Sequence, residues 1–345
     1  MSNLTTPPAA GPGRSASSPA PSAASRRIRA SRLSGMTWLT WRQHRAAYWT
    51  YLAVTALITA WIAHQRAGLM DHLTALGWPD SSPDKWTVGI EPYVQRTLKV
   101  GLALLPLPVI LGVFLGAPLL AGDLESGTAK LVMSQSPRPS RWLTAKLGLT
   151  VLVVVVCTTV LSLACGRWWT PLMEQDGSMG WDVTVFSNTG PVPVALTVFS
   201  VVGGVAIGMV LRRTLFSMVA TFFFTVAVEL FWSMNRLNLA NPVRIANHSG
   251  VNGSLPPVPP GGLTVDSGSY ITSSGKALPM HTCLHEPSAK AVDICLQKKD
   301  VVGKSVDYLP LSQLSSTQWL DTLFLFALAG VVTAFIFLWG RKRIV

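Results

Sequence analysis

Residues 147–166 read LGLTVLVVVVCTTVLSLACG, twenty positions without a charge. At 1.5 Å of rise per residue such a run makes about 30 Å of helix, the thickness of a bilayer's hydrocarbon core. The surrounding composition agrees. Of 345 residues, 49% are hydrophobic and only 13% charged, too little polar surface for a water-soluble domain of this size. The same criterion predicts six spans, at 47–65, 100–121, 147–166, 192–211, 215–234 and 319–339. The second holds Pro106, Pro108 and Pro118, tolerated in a membrane helix where neighbours satisfy the freed backbone groups. Residues 1–35 carry no apolar signal-peptide core, so no secretory signal is expected ahead of the spans.

The net charge of +12 resembles a nucleic-acid signal until the charges are sorted by side. With the N-terminus inside, the inner stretches are 1–46, 122–146, 212–214 and 340–345. They hold sixteen of the 28 Lys/Arg against two acids, Asp123 and Glu125. Basic residues on inner loops orient a membrane protein and attract anionic lipid headgroups. The expected fold class is therefore an all-α membrane protein of six helices, with both termini cytoplasmic and no nucleic-acid partner. Residues 1–35, rich in Ala, Ser and Pro and ending in RRIRASR, read as a disordered cytoplasmic tail. Residues 36–345 form the six-helix domain, and 235–318 form a large extracellular loop between helices five and six. MTWLTWRQHRAAYW (36–49) suits an amphipathic helix lying at the interface before the first span.

Within the outer loop, SLPPVPPGG (254–262) excludes regular helix, and LTVDSGSYIT (263–272) suits a short strand or hairpin. Cys283 and Cys295 lie there, on the side where oxidation is permitted. A disulfide between them is expected. The alternatives are free thiols or a metal site, and the HTCLH spacing (281–285) matches no standard zinc site. VVGKSVD (301–307) ends like a phosphate-binding loop, but Lys298 stands where that loop needs glycine. No HExxH, GxSxG or DxDxDG pattern occurs. An enzyme, a metal and a cofactor in this chain are not expected.

Glu229, in TFFFTVAVELFW (221–232), is read as the only acid within a span. Fifteen residues from Thr214 rise about 22 Å, which places it in the outer third. Either it reaches the outer interface or pairs with Arg236 or Arg167, or it is a polar spot on a translocation path. The pairs Gly112/Gly116 and Gly204/Gly208 are close-packing faces, either inside one chain or at a dimer seam.

Between spans two and three stands GDLESGTAKL (122–131). On a helix, Leu120, Leu124, Gly127 or Thr128, and Leu131 share one face, with Asp123, Glu125 and Lys130 away from it. Pro137 and Pro139 stop the helix, and Arg138 and Arg141 follow. Such a segment is either an interfacial anchor or a docking element for a soluble partner.

The run GAPLLAGDLESGTAKLVMSQSPRPSRWLTAKL (116–147) resembles the loop between spans two and three of type-2 ABC-exporter permeases. Asp123, Glu125, Gly127, Thr128, Gln135, Ser136, Arg141, Trp142 and Lys146 match that pattern. The chain is similar to actinobacterial-type members in its TWRQHR opening (40–45), in Arg212-Arg213-Thr214, and in Tyr308, Pro310, Gln318, Trp319 and Asp321. The resemblance covers 36–345. It implies a permease subunit of an ABC exporter at the plasma membrane. Asp123, Glu125, Gly127, Thr128, Arg138 and Arg141 would be the coupling residues that meet a separate ATPase subunit. ATP and Mg would bind in that partner, and two permeases, alike or different, would join two ATPases. The reading from another class is a non-transporting six-helix protein that docks a cytoplasmic partner for signalling or immunity.

Overall fold

The computed structural model describes residues 36–80, 89–128, 139–173, 177–259 and 261–343. Among them six helical segments are long and apolar enough to cross a membrane: Thr40–Ala75, Glu91–Glu125, Ser140–Met173, Val192–Leu211, Thr214–Leu239 and Leu311–Gly340. The expected tail, 1–35, lies outside the described residues.

The helices are organised around α7 (Val192–Leu211). Its sequence has no charged residue and is apolar all round, which marks an interior helix. Accordingly 78% of it is buried, against 17% of the fifth span. It touches the second, third, fifth and sixth spans.

Span two is not one regular helix. It comprises α2 (Glu91–Leu104), α3 (Leu107–Leu111), a π-helical turn (Gly112–Gly116) and α4 (Ala117–Glu125). Pro106 and Pro108 lack the N–H groups that would continue α2, so the helix restarts there. The π turn then lies flat against α7. A Cβ on Gly116 would stand 2.5 Å from the Val201 carbonyl oxygen, and one on Gly112 3.0 Å from that of Ser200. From the other side, a Cβ on Gly204 would stand 2.6 Å from the Gly112 oxygen, and one on Gly208 would strike that of Ala117. The two glycine pairs therefore pack on each other within one chain, and not across a dimer seam.

α1 (Met36–Ala75) runs unbroken for 40 residues. The separate interfacial helix expected at 36–49 is instead its first turns, because no Gly or Pro interrupts the chain before Gly68. α1 packs on α5 (Pro139–Met173). Hydroxyl pairs join them, Tyr48 to Thr150 at 2.8 Å and Tyr51 to Thr158 at 3.0 Å. The short helix α6 (Val183–Asn188) follows, capped by Asp182, whose carboxylate accepts from the Thr184 N–H at 2.8 Å. The remaining spans are α8 (Thr214–Asn235) and, at the end of the chain, α10 (Leu314–Arg343).

The segment between them is not helical throughout, so "all-α" needs correction. It forms a five-stranded antiparallel sheet with one helix. The strands are β1 (Val243–Asn247), β2 (Leu263–Thr264), β3 (Ser269–Thr272), β4 (Ala277–Pro279) and β5 (Val301–Leu309). β5 pairs with β1 on one side and with β2 and β3 on the other. Val301, Val306 and Leu309 of β5 are buried. Gly303-Lys304-Ser305 sits inside this strand, not in a loop before a helix, so it lacks the backbone that cradles a phosphate. Helix α9 (Ala289–Lys298) buries Leu296 and carries Cys295, which is disulfide-bonded to Cys283. Arg244 and Asp307 face each other across β1 and β5 and close a bidentate pair, with both N···O distances 2.7 Å.

Two outcomes follow from these contacts. Gly204→Val or Gly208→Val should sharply reduce the yield of monodisperse protein in detergent. Overpacking of this kind typically costs about 1–3 kcal/mol, and more where the obstacle is backbone. Gly148→Ala and Gly330→Ala, where a Cβ meets nothing within 4 Å, should leave the yield unchanged. Separately, the hydrogen bonds from Arg244 hold the Asp307 carboxyl below the usual carboxylate range. Its contribution is thus present above the unfolded-chain value of about 3.9 and is lost as pH falls through the lower folded value. Asp307→Asn should weaken the sheet at neutral pH, by under about 1 kcal/mol for so exposed a pair. Thermal melts of parent and variant should converge once the pH has fallen below that folded value.

Candidate functional site

The motif acids stand where α4 ends. Ser126 is the C-cap of that helix and its hydroxyl donates back to the Gly122 carbonyl at 2.8 Å. Gly127 follows with φ +72°, a left-handed conformation that glycine adopts without strain. The helix expected to run through 120–131 therefore breaks after Glu125. Leu131 and Arg138 lie outside the described residues. Thr128 folds back on Asp123, its hydroxyl 3.4 Å from the carbonyl oxygen and from Oδ1. Gly127 is open on all sides, and Arg141 is exposed with no hydrogen bond among the described residues.

Two contacts tie this exposed turn to other spans. Asp123 forms an ion pair with Lys146 of α5. Lys146 is 1% exposed. A buried ammonium is costly unless its protons are satisfied. Here Nζ also donates to the Leu119 carbonyl at 3.3 Å and lies 5.2 Å from the centre of the Trp142 ring. His44 of α1 stands within electrostatic reach of both Lys146 and Asp123, its Nε2 buried without a partner among the described residues. The second contact belongs to Glu125. Its carboxylate accepts from the Thr214 backbone N–H at 2.8 Å, supplying an anion to the N-terminus of α8. Spans one, three and five thus converge on the end of span two. In the sequence Lys146 and His44 belong to the stretches that carry the family resemblance, but nothing there pairs either of them with Asp123. The signal available was spacing, since Lys146 follows Trp142 by one helical turn.

Glu229 occupies a different place. It lines a hollow of about 290 Å³ between span two and α8, with Leu104, Pro108, Asn188, Thr197 and Trp232 among its neighbours. Its Oε1 is buried with no hydrogen-bond partner among the described residues. The expected pairing with Arg236 or Arg167 does not form. Arg236 turns away to donate to the carbonyls of Ser233 (3.0 Å) and Trp181 (2.9 Å). The Arg167 carbonyl accepts from Arg66 at 3.1 Å. Nor is Glu229 the only acid in a span. Asp321 of α10 is fully buried, lying against the Trp232 indole and near Arg236 without a well-formed hydrogen bond to either.

Residues 52–236, more than half of the chain, match the family described as ABC-2 membrane transporter related. The chain belongs to that family. No curated protein and no solved structure matches it. The matched region begins in α1 and ends at Arg236, so it contains both the 122–146 end and Glu229, and omits the sheet and α10. Membership in the ABC-2 family implies partnership with an ABC ATPase.

In this ABC-2 chain the Asp123–Lys146 pair offers a direct test. Removing one member of a buried pair leaves the other uncompensated, which costs about 3–5 kcal/mol. Asp123→Leu should therefore lower thermal stability strongly. Asp123→Leu with Lys146→Met should recover part of the loss, as a double-mutant cycle on purified protein will show.

Proposed function

We propose that this chain is the permease subunit of an exporter in the plasma membrane, driven by a separate ABC ATPase. In this reading ATP and Mg bind to the ATPase and not to this chain. Two permeases, identical or different, assemble with two ATPases. Both termini and the 122–146 end face the cytoplasm, and the sheet faces outward. The distribution of charge supports that orientation: sixteen of the 28 Lys/Arg lie in the four inner stretches.

The observation that carries the proposal is the double tether at the end of span two. An exposed turn, Ser126–Gly127, is bound to α5 through Asp123–Lys146 and to α8 through Glu125–Thr214. A partner pressing on that turn would displace three spans together, the kind of rigid linkage that converts docking into motion of a bundle. Asp123, Glu125, Gly127, Thr128, Arg138 and Arg141 are the proposed coupling residues, and Glu229 is the proposed polar point on the path.

Glu125→Ala and Arg141→Ala test the assignment. Both should insert normally, because both side chains are exposed. In vesicles with the ATPase, each should lower substrate-stimulated ATP hydrolysis several-fold, on the order of 1 kcal/mol of coupling. Unchanged hydrolysis and transport in both variants would overturn the coupling role. An ATPase that binds the chain yet drives no transport would favour the signalling or immunity reading.

A further inference from the structure

The hollow beside Glu229 has a chemical bias of its own. Most of its lining is apolar, from Leu104, Pro108, Leu196 and Leu230. Most polar groups among these walls have already committed their protons, the Ser187 hydroxyl and the Trp232 N–H excepted. Asn188 Nδ2 donates to the carbonyls of Gly101 (3.0 Å) and Thr184 (2.7 Å). Thr197 donates to Pro193 at 2.6 Å, and Ser233 to Leu230 at 3.0 Å. The indole of Trp232 lies against Asp321. The hollow therefore offers mostly acceptors, with one carboxylate oxygen that has no partner among the described residues. No lysine or arginine lines it. The basic residue just past the end of α8, Arg236, lines the separate cavity with Asp182 and Trp181, and two of its guanidinium nitrogens donate to the Ser233 and Trp181 carbonyls.

A carboxylate in such a place lacks a counter-charge, and low-dielectric surroundings strengthen attraction to any cation that can enter. An anion would meet a carboxylate with no lysine or arginine in the described lining to offset it, and a fully polar solute would lose its hydration against apolar walls. We propose that this hollow is a binding site for amphiphilic monocations, with a compact apolar or aromatic body between spans two and five and its positive nitrogen on Glu229. The proposal rests on the transporter reading only in naming this ligand class as the exported one. Binding itself requires no ATPase.

The test uses the full chain purified in dodecyl maltoside, an uncharged detergent. Three fluorescent probes are titrated: ethidium (cationic), N-phenyl-1-naphthylamine (neutral) and 8-anilinonaphthalene-1-sulfonate (anionic). The parent should bind ethidium at least about tenfold more tightly than the sulfonate, in keeping with a desolvated charge pair. Glu229→Gln should weaken ethidium about tenfold or more and change the neutral probe by less than about twofold. Ser187→Phe, placing a ring in the hollow while leaving the carboxylate, should weaken both. Equal ethidium affinity in Glu229→Gln and parent, or a sulfonate bound as tightly as ethidium, would overturn the proposal. If Glu229→Gln fails to fold, the probe ranking in the parent and its loss in Ser187→Phe decide the matter. ATPase-driven export of another solute, with no cation binding here, would overturn the ligand class and leave the transporter reading standing. Cation binding without ATPase-driven export would do the reverse.

Discussion

Backbone-to-backbone contact between the π turn of span two and α7 is the constraint on which the other helices depend. Four glycines allow carbonyl oxygens to approach where any side chain would intrude. In hydrocarbon there is no hydrophobic gain from bringing apolar helices together, so close approach and dispersion must supply the attraction. Once span two lies against α7, the positions of Pro106 and Pro108 fix where it is interrupted. The end of α4 is then carried to α5 and α8, and the end of α2, at Gly101, to Asn188 of α6. The glycine contact has a local purpose in packing and a remote one in placing both polar features of the chain.

Those two features differ in how their charges are handled. Lys146 is buried and compensated from three directions: a carboxylate, a carbonyl and an aromatic face. That arrangement specifies geometry, since a misplaced helix would leave an ammonium in an apolar interior. Glu229 is half-buried with one carboxylate oxygen unpartnered, and Asp321 is fully buried and incompletely compensated. A native structure that retains unsatisfied acids within its spans retains them at a stability cost, which is the usual mark of a working polar site in a membrane protein.

The spans were legible because uninterrupted apolar length is a strong signal that tertiary context does not override. LGLTVLVVVVCTTVLSLACG permits no other reading. Their ends were less legible. Met36–Thr50 carries Trp, Arg and His in the manner of an interfacial helix, yet nothing in it breaks the helix, so it continues straight into span one. The break at Gly127 was missed for the opposite reason. A periodic apolar face suggested continuity, and the Ser-Gly cap that ends α4 was read as part of that face. Asp321 went unmarked as a buried acid because it follows the predicted start of span six by two residues. The helix begins at Leu314, two turns before Asp321, and so draws it inside. The sheet was legible only in part: LTVDSGSYIT reads as strand, but β5 is held together by partners 29 to 65 residues away in sequence, which local pattern does not reveal.

The π turn also sets the rotational phase of span two. One residue more than an α-helical turn rotates everything beyond it by roughly 100° about the axis relative to a regular helix. Leu104 and Pro108, on one side of the turn, face the hollow with Glu229. Asp123, on the other, faces Lys146. A regular helix of the same sequence would bring these two azimuths out of step, so that either the hollow or the tether was in register but not both. The five residues Gly112–Gly116 thus serve as a clocking element, and any tightening of that turn towards α-geometry would twist the two ends of the span against each other.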